Sequence, residues 1–250
     1  MQYTLKKSLG QHFLTDETIS RKIADAIAHQ KPVQLLEVGP GSGAITKYLL
    51  QLKDVDFKAI EIDAEKINYL QHTYPQLSAK LIHESFLDAT PPFEGSFHIA
   101  GNFPYNISTQ ILFHILTWKD QVPVVTGMFQ KEVAQRIASN EGNKIYGILS
   151  VLVQAFYKVD YLFDVEGASF NPPPKVKSGV IQLTRLETSP AIKSEKALFN
   201  LVKTAFNQRR KMLRNGVRGL FDAEFIKDEI FTKRAEQLTV QQFAELTFKM

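Results

Sequence analysis

The sequence predicts an α/β fold, a parallel, doubly wound sheet followed by a small helical domain, on three observations. Over the first two thirds of the chain, short β-branched runs alternate with segments of helical periodicity. A glycine-rich turn follows the first of those runs at once, the arrangement of a nucleotide-binding parallel sheet. Beyond about residue 186 helical periodicity continues without a strand signal, which divides the chain into an expected domain over 1–186 and a helical one over 187–250. A length of 250 residues at 44% apolar content suits one large core with such an appendage.

In chain order, Asp16 can cap a helix that carries Ile19, Ile23 and Ile27 on one face. Residues 33–38 then read as a buried first strand, with the glycines next and a helix from about Ala44. A second strand ends near Ile60-Glu61-Ile62-Asp63, and further strands fit 79–83, 97–101 and 122–129. Residues 176–186 alternate enough for a final strand.

The chain has no cysteine, which excludes disulfide scaffolds and thiolate metal sites and fits a reducing compartment. Its start, MQYTLKKSLGQHFL, lacks the apolar run of a signal peptide or membrane span, so a soluble, cytoplasmic protein with no membrane partner is expected. A net charge of +4 leans only weakly toward an anionic partner.

The first chemical signal is Glu37-Val38-Gly39-Pro40-Gly41-Ser42-Gly43, between an expected strand and an expected helix. Gly39 and Gly41 let the backbone approach a ligand closely, and Glu61, ending the second strand, can accept hydrogen bonds from both hydroxyls of a ribose. Gly39-x-Gly41-x-x-Ala44 also satisfies the dinucleotide fingerprint, so NAD stays open. Glu37 favours a ligand with an ammonium and a sulfonium over one with a pyrophosphate, because an anion before the turn opposes phosphate at the helix N-terminus.

The second signal is Asn102-Phe103-Pro104-Tyr105, directly after an expected strand and so at the carboxyl edge of the sheet. An adenine amine is a poor nucleophile because its lone pair is delocalised into the ring. Asn102 and a neighbouring backbone carbonyl, turned inward by Pro104, can accept its two N–H bonds while Tyr105 stacks on the base.

These residues resemble the ribosomal RNA adenine dimethyltransferases over nearly the whole chain. The resemblance is carried by Leu9-Gly10-Gln11-His12-Phe13-Leu14, the turn at 37–43, Glu61-Ile62-Asp63, Asn102-Phe103-Pro104-Tyr105-Asn106-Ile107-Ser108-Thr109, Phe170-Asn171-Pro172-Pro173-Pro174-Lys175-Val176 and Gln208-Arg209-Arg210-Lys211-Met212-Leu213-Arg214-Asn215. It implies a Rossmann-like class I methyltransferase core that uses S-adenosylmethionine, without a metal, to dimethylate two adjacent adenosines near the 3′ end of small-subunit ribosomal RNA. By the same resemblance His12, Leu14 and Gly39 line the cofactor site, Glu61 holds its ribose, Asn102 faces both substrates and Phe170 lies beside the target base. On composition alone His12 reads as a surface residue and Phe170 as core. Where the family has Gly-Asp after the third strand this chain has Glu84-Ser85, so Ser85 replaces a charge-assisted bond to the cofactor's adenine by a neutral one. Ile62 and Phe86 can sandwich that adenine.

Between residues 203 and 218, Lys203, Arg209, Arg210, Lys211, Arg214 and Arg218 occur with no Asp or Glu, in a chain whose net charge is only +4. On one helix, Val202, Phe206, Leu213 and Val217 would face the core and the cations would face RNA phosphates. The run resembles the small-subunit enzymes rather than their large-subunit relatives. The expected reaction is in-line methyl transfer by a monomer, the amine losing its proton afterwards, with no dedicated general base. The expected partners are small-subunit ribosomal RNA and the immature small subunit. Methylation of large-subunit RNA or DNA adenine, or a chiefly non-catalytic role in small-subunit assembly, are the alternatives.

Overall fold

The computed structural model describes residues 12–250. Strand β1 (Phe13–Leu14) leads into α1 (Glu17–His29), β2 (Gln34–Val38), α2 (Thr46–Leu49), β3 (Asp56–Glu61), α3 (Ala64–Thr73), β4 (Leu81–His83), β5 (His98–Asn102), α4 (Ser108–Thr117), β6 (Val124–Gln130) and α5 (Lys131–Ile137). Then come α6 (Ile148–Gln154), β7 (Tyr157–Val165), β8 (Phe170–Asn171), β9 (Ser178–Arg185), α7 (Glu195–Asn207), α8 (Leu213–Val217) and α9 (Val240–Leu246), with short 3-10 turns between. Asp16 caps α1 as expected, its carboxylate accepting from the N–H groups of Thr18 and Ile19, and Ile23 and Ile27 are buried.

The main sheet has the strand order β4-β3-β2-β5-β6-β9-β7. The first five strands are mutually parallel, and β9 joins β6 antiparallel, from Val124 opposite Thr184 to Gln130 opposite Ser178. The chain moves outward from β2 through β3 to β4 and then returns to lay β5 on the other side of β2. The order therefore reverses between β2 and β5, and ligands of such sheets bind beyond the strand ends at that point. Leu35, Leu36, Val38, Ala59, Ile60, Ile99, Ala100 and Val125 are buried in the parallel strands. β7 was absent from the sequence expectation, although Tyr157-Lys158-Val159-Asp160-Tyr161-Leu162-Phe163-Asp164-Val165 carries a partial alternation.

By backbone contacts the chain divides into a unit extending to Ala134 together with Asp160–Arg185, and a second comprising Gln135–Val159 and Leu186–Met250. This division differs from 1–186 and 187–250 because α6 packs with α7 and α9. Leu149 to Val153 are all buried, so α6 has no polar face to turn to water, and its apolar surface is matched by Leu198, Leu201, Val202, Phe243 and Leu246 of the second unit. No helix among the described residues is long and apolar enough to cross a membrane.

Candidate active site

At the reversal point of the sheet the first unit encloses a cavity of about 330 Å³. The glycine turn forms one side. Gly39 and Gly41 have φ of +67° and +60°, left-handed values that disfavour side chains with a Cβ. Glu61 is buried, with Oε1 accepting from the N–H groups of Ile62 and Asp63, both at 3.0 Å, and Oε2 from Gly41 at 3.3 Å. A carboxylate offers about four lone-pair sites. Glu61 can therefore take a second hydroxyl only by giving up the long Gly41 bond.

Glu37 also borders the cavity, but not as the anion expected from the sequence. It is 2% exposed and among the described residues its Oε2 has no hydrogen-bond partner. Burial pushes its carboxyl up to about 8, with the Thr46 hydroxyl opposing the shift and the Glu61 charge adding to it. The ligand-free site thus holds a protonated Glu37 at neutral pH.

Asn102 ends β5 and lies on the cavity wall, and among the described residues its side-chain amide has no hydrogen-bond partner. Its position is set by Phe103, whose ring is completely buried and stacks over two glycines of adjacent strands. A Cβ on Gly127 would lie 2.3 Å from Phe103 Cε2, and one on Gly101 2.8 Å from Cε1. The side chain of Phe103 is thus core, and Pro104 turns the chain back past Gly39, where a Cβ would be 4.0 Å from its Cδ. The Tyr105 hydroxyl is hydrogen-bonded to Ser178 Oγ, and its carbonyl accepts from the Ser108 hydroxyl at 3.2 Å. Burial raises the Tyr105 pKa against the opposing Ser178 bond, so the phenol stays neutral.

His12 stacks on Tyr105 with ring centroids 6.0 Å apart, and its Nδ1–H donates to the Pro172 carbonyl at 2.8 Å. His12, Leu14, Ile62, Ser85 and Phe86 all border the cavity. Ile62 is 57% exposed, unusual for an isoleucine, whereas Phe86 is buried edge-on against His114 and Trp118. Phe170 is not brought to this wall. It pairs with Leu14 in the β1–β8 ladder and lies 4% exposed in the apolar cluster. Lys66 is a cavity residue the sequence did not reveal, because a lysine in the first turn of a helix ordinarily reads as solvated.

In the second unit the cations do not lie on one helix. α7 ends at Asn207, a turn carries Arg209, Arg210 and Lys211, and α8 starts where the Leu213 N–H donates to the Lys233 carbonyl at 2.7 Å. Lys203, Arg210, Lys211, Arg214 and Arg218 are exposed. Arg209 is instead held by Glu236 at 2.7 Å and by the Lys144 carbonyl. Val202, Leu213 and Val217 face the core as expected. Among the described residues no group of three or more His, Cys, Asp or Glu could hold a metal ion.

Known proteins share this architecture. The family profile "Ribosomal RNA adenine dimethylase" matches residues 2–248. A "Ribosomal RNA small subunit methyltransferase A" of Flavobacterium johnsoniae is 51% identical, covering 98% of this chain and 95% of its relative. That of Porphyromonas gingivalis is 48% identical, with 99% and 98% covered. Among solved structures, a dimethyladenosine transferase from Plasmodium falciparum superposes with a TM-score of 0.79 at 25% identity, covering 94% of this chain and 96% of that one. The 23S rRNA methyltransferase ErmE shares the fold, with a TM-score of 0.72 at 20% identity over 94% and 99% of the two chains. The fold is the Rossmann-like core of the class I methyltransferases, for which S-adenosylmethionine is the methyl donor. With a profile spanning almost every residue and relatives near half identity over the full length, the chain belongs to the ribosomal RNA adenine dimethylase family.

Proposed function

We propose that this protein transfers methyl groups from S-adenosylmethionine to the exocyclic amines of two adjacent adenosines near the 3′ end of small-subunit ribosomal RNA, giving N6,N6-dimethyladenosine. The observation that carries the reading is the Asn102 amide at the carboxyl end of β5, without a hydrogen-bond partner among the described residues and on the same cavity as Glu61 and the glycine turn. The cavity suits the cofactor chemically: Glu61 accepts from ribose, Ile62 and Phe86 offer apolar faces to adenine, and Glu37 Oε2, which has no hydrogen-bond partner among the described residues, offers an acceptor to the ligand's N–H groups. Gly39, Gly41, His12 and Leu14 complete the cofactor wall, with Ser85 as the neutral acceptor for the adenine amine. When bound, S-adenosylmethionine supplies an electrophilic methyl group.

The chain's own work is positional. Asn102 Oδ1 and the adjacent backbone carbonyl accept the two N–H bonds of the target amine, which frees its lone pair for in-line attack. Phe103 and Pro104 fix that loop, and Tyr105 provides the stacking face for a flipped base. The proton leaves once the nitrogen is quaternised, so the site needs no strong base. Lys203, Arg210, Lys211, Arg214 and Arg218 contact RNA phosphates, and Arg209 acts within its own unit as a structural residue. The reading places the protein in the cytoplasm, as a monomer acting on immature small subunits.

The test is incubation with labelled S-adenosylmethionine and, separately, unmethylated small subunits, large-subunit RNA and DNA, with the modified base mapped by mass spectrometry. Dimethyladenosine only at the small-subunit 3′ end is expected. Label in another nucleic acid overturns the substrate, and tight small-subunit binding without label makes the protein an assembly factor instead.

A further inference from the structure

Lys66 occupies the third position of α3, where a lysine ordinarily extends into water. Here it is 9% exposed and forms part of the cavity wall. Its ammonium lies 4.0 Å from Glu61 Oε2 and 5.3 Å from the centroid of the Phe13 ring. Phe13 in turn reaches the glycine turn, since a Cβ on Gly41 would be 3.9 Å from its Cδ1 and Cε1. One cation therefore faces both the carboxylate that borders the cavity and the aromatic ring of the short strand beside it. Burying an ammonium is costly unless nearby groups replace its water, and here the carboxylate and the face of the ring do so. The carboxylate needs the partner as well. Oε1 is fixed by two backbone bonds of 3.0 Å, whereas Oε2, the oxygen with capacity left for a ligand, is held among the described residues by the 3.3 Å bond from Gly41 and by Lys66.

We propose that Lys66 is a positioning residue of the cofactor site, holding Glu61 Oε2 toward the ribose and Phe13 against the glycine turn. The inference rests on the reading of Glu61 as the ribose acceptor. Removing the charge leaves the apolar grip on the adenine in place and loosens the ribose end. Lys66 therefore acts on cofactor affinity through Glu61 and not on the methyl transfer itself.

Calorimetric titration with S-adenosylhomocysteine and with its analogue lacking the ribose 2′-hydroxyl tests this. The wild-type protein is read first. If it fails to bind the parent compound, or binds both compounds equally, the ribose role of Glu61 falls and Lys66 with it. Given a wild-type preference, K66M should weaken the parent compound about tenfold, equivalent to about 1.4 kcal/mol, and the deoxy analogue much less. In turnover the loss should fall on KM for S-adenosylmethionine rather than on kcat, and K66R should restore most of it. F13L, which alters no charge, should show the same ribose-selective loss at smaller size and keeps the test open if K66M does not fold. Unchanged ribose preference in the folded variants, or equal weakening of both compounds, overturns the proposal.

Discussion

Asn102 and Glu37 border one cavity in opposite states: an amide that has no hydrogen-bond partner among the described residues and is ready to accept hydrogen bonds, and a carboxyl so buried that it keeps its proton. N102A should leave S-adenosylmethionine affinity within about twofold and lower kcat by at least 100-fold, because the missing acceptor acts mainly on the amine in the transition state. Titration calorimetry and single-turnover methylation separate the two, and wild-type turnover would remove Asn102 from the mechanism. For Glu37 the sign follows from a folded value of about 8 against an ordinary 4.5. The stability associated with the protonated form is complete below pH 4.5 and is lost as the pH rises through 8. Relative to E37Q, the ligand-free wild type should therefore lose a few kcal/mol, about 3–5, between pH 5 and pH 9 in urea melts. A constant difference would mean that Glu37 is already charged in the fold.

At the scale of elements, the site depends on packing hidden beneath it. Phe103 is part of the tetrapeptide that faces the cavity, yet its ring lies over Gly101 and Gly127, so the adjacent strands β5 and β6 set the height of Asn102. G127A would place a methyl group 2.3 Å from that ring, and the buried ring has little room to move. We expect a loss of about 1–3 kcal/mol in stability. Because the displaced ring carries Asn102 with it, kcat should also fall, with cofactor affinity nearly kept. Denaturation and kinetics check this, and a destabilised variant with normal kcat would show that Phe103 merely fills the core. Helix boundaries behave differently. The break between α7 and α8 is held by the Leu213 N–H on the Lys233 carbonyl, a partner twenty residues away that periodicity does not reveal.

For the whole molecule, the relevant quantity is charge. A net +4 is modest, but five exposed cations lie between residues 203 and 218. R210A/K211A/R214A should weaken RNA binding strongly and lower the slope of log affinity against log salt by about one for each phosphate neutralised by those side chains, without changing cofactor affinity. R209A should differ, since Arg209 is held by Glu236 and the Lys144 carbonyl: its removal should appear as lower thermal stability and leave the salt slope alone. Filter binding across a salt series distinguishes the two. An R209A slope that falls with the others would place Arg209 on the RNA.

The parallel α/β core, the first helix with its Asp16 cap, the glycine turn with Glu61, and Asn102 at a strand end were all legible in the sequence, because period, capping and backbone chemistry are local properties written in neighbouring residues. Folding set the rest. β7 and α6 were hidden because short apolar runs do not distinguish strand from buried helix. Glu37 has the sequence of an anion and the environment of a neutral acid, since its protonation follows from how much water the surrounding strands exclude. Phe170 was drawn into the apolar cluster by its pairing with Leu14, and Lys66 entered the cavity by pairing with Glu61 and Phe13. In each of these cases the partner is distant in the chain or the environment is collective, and only the folded arrangement brings the groups together.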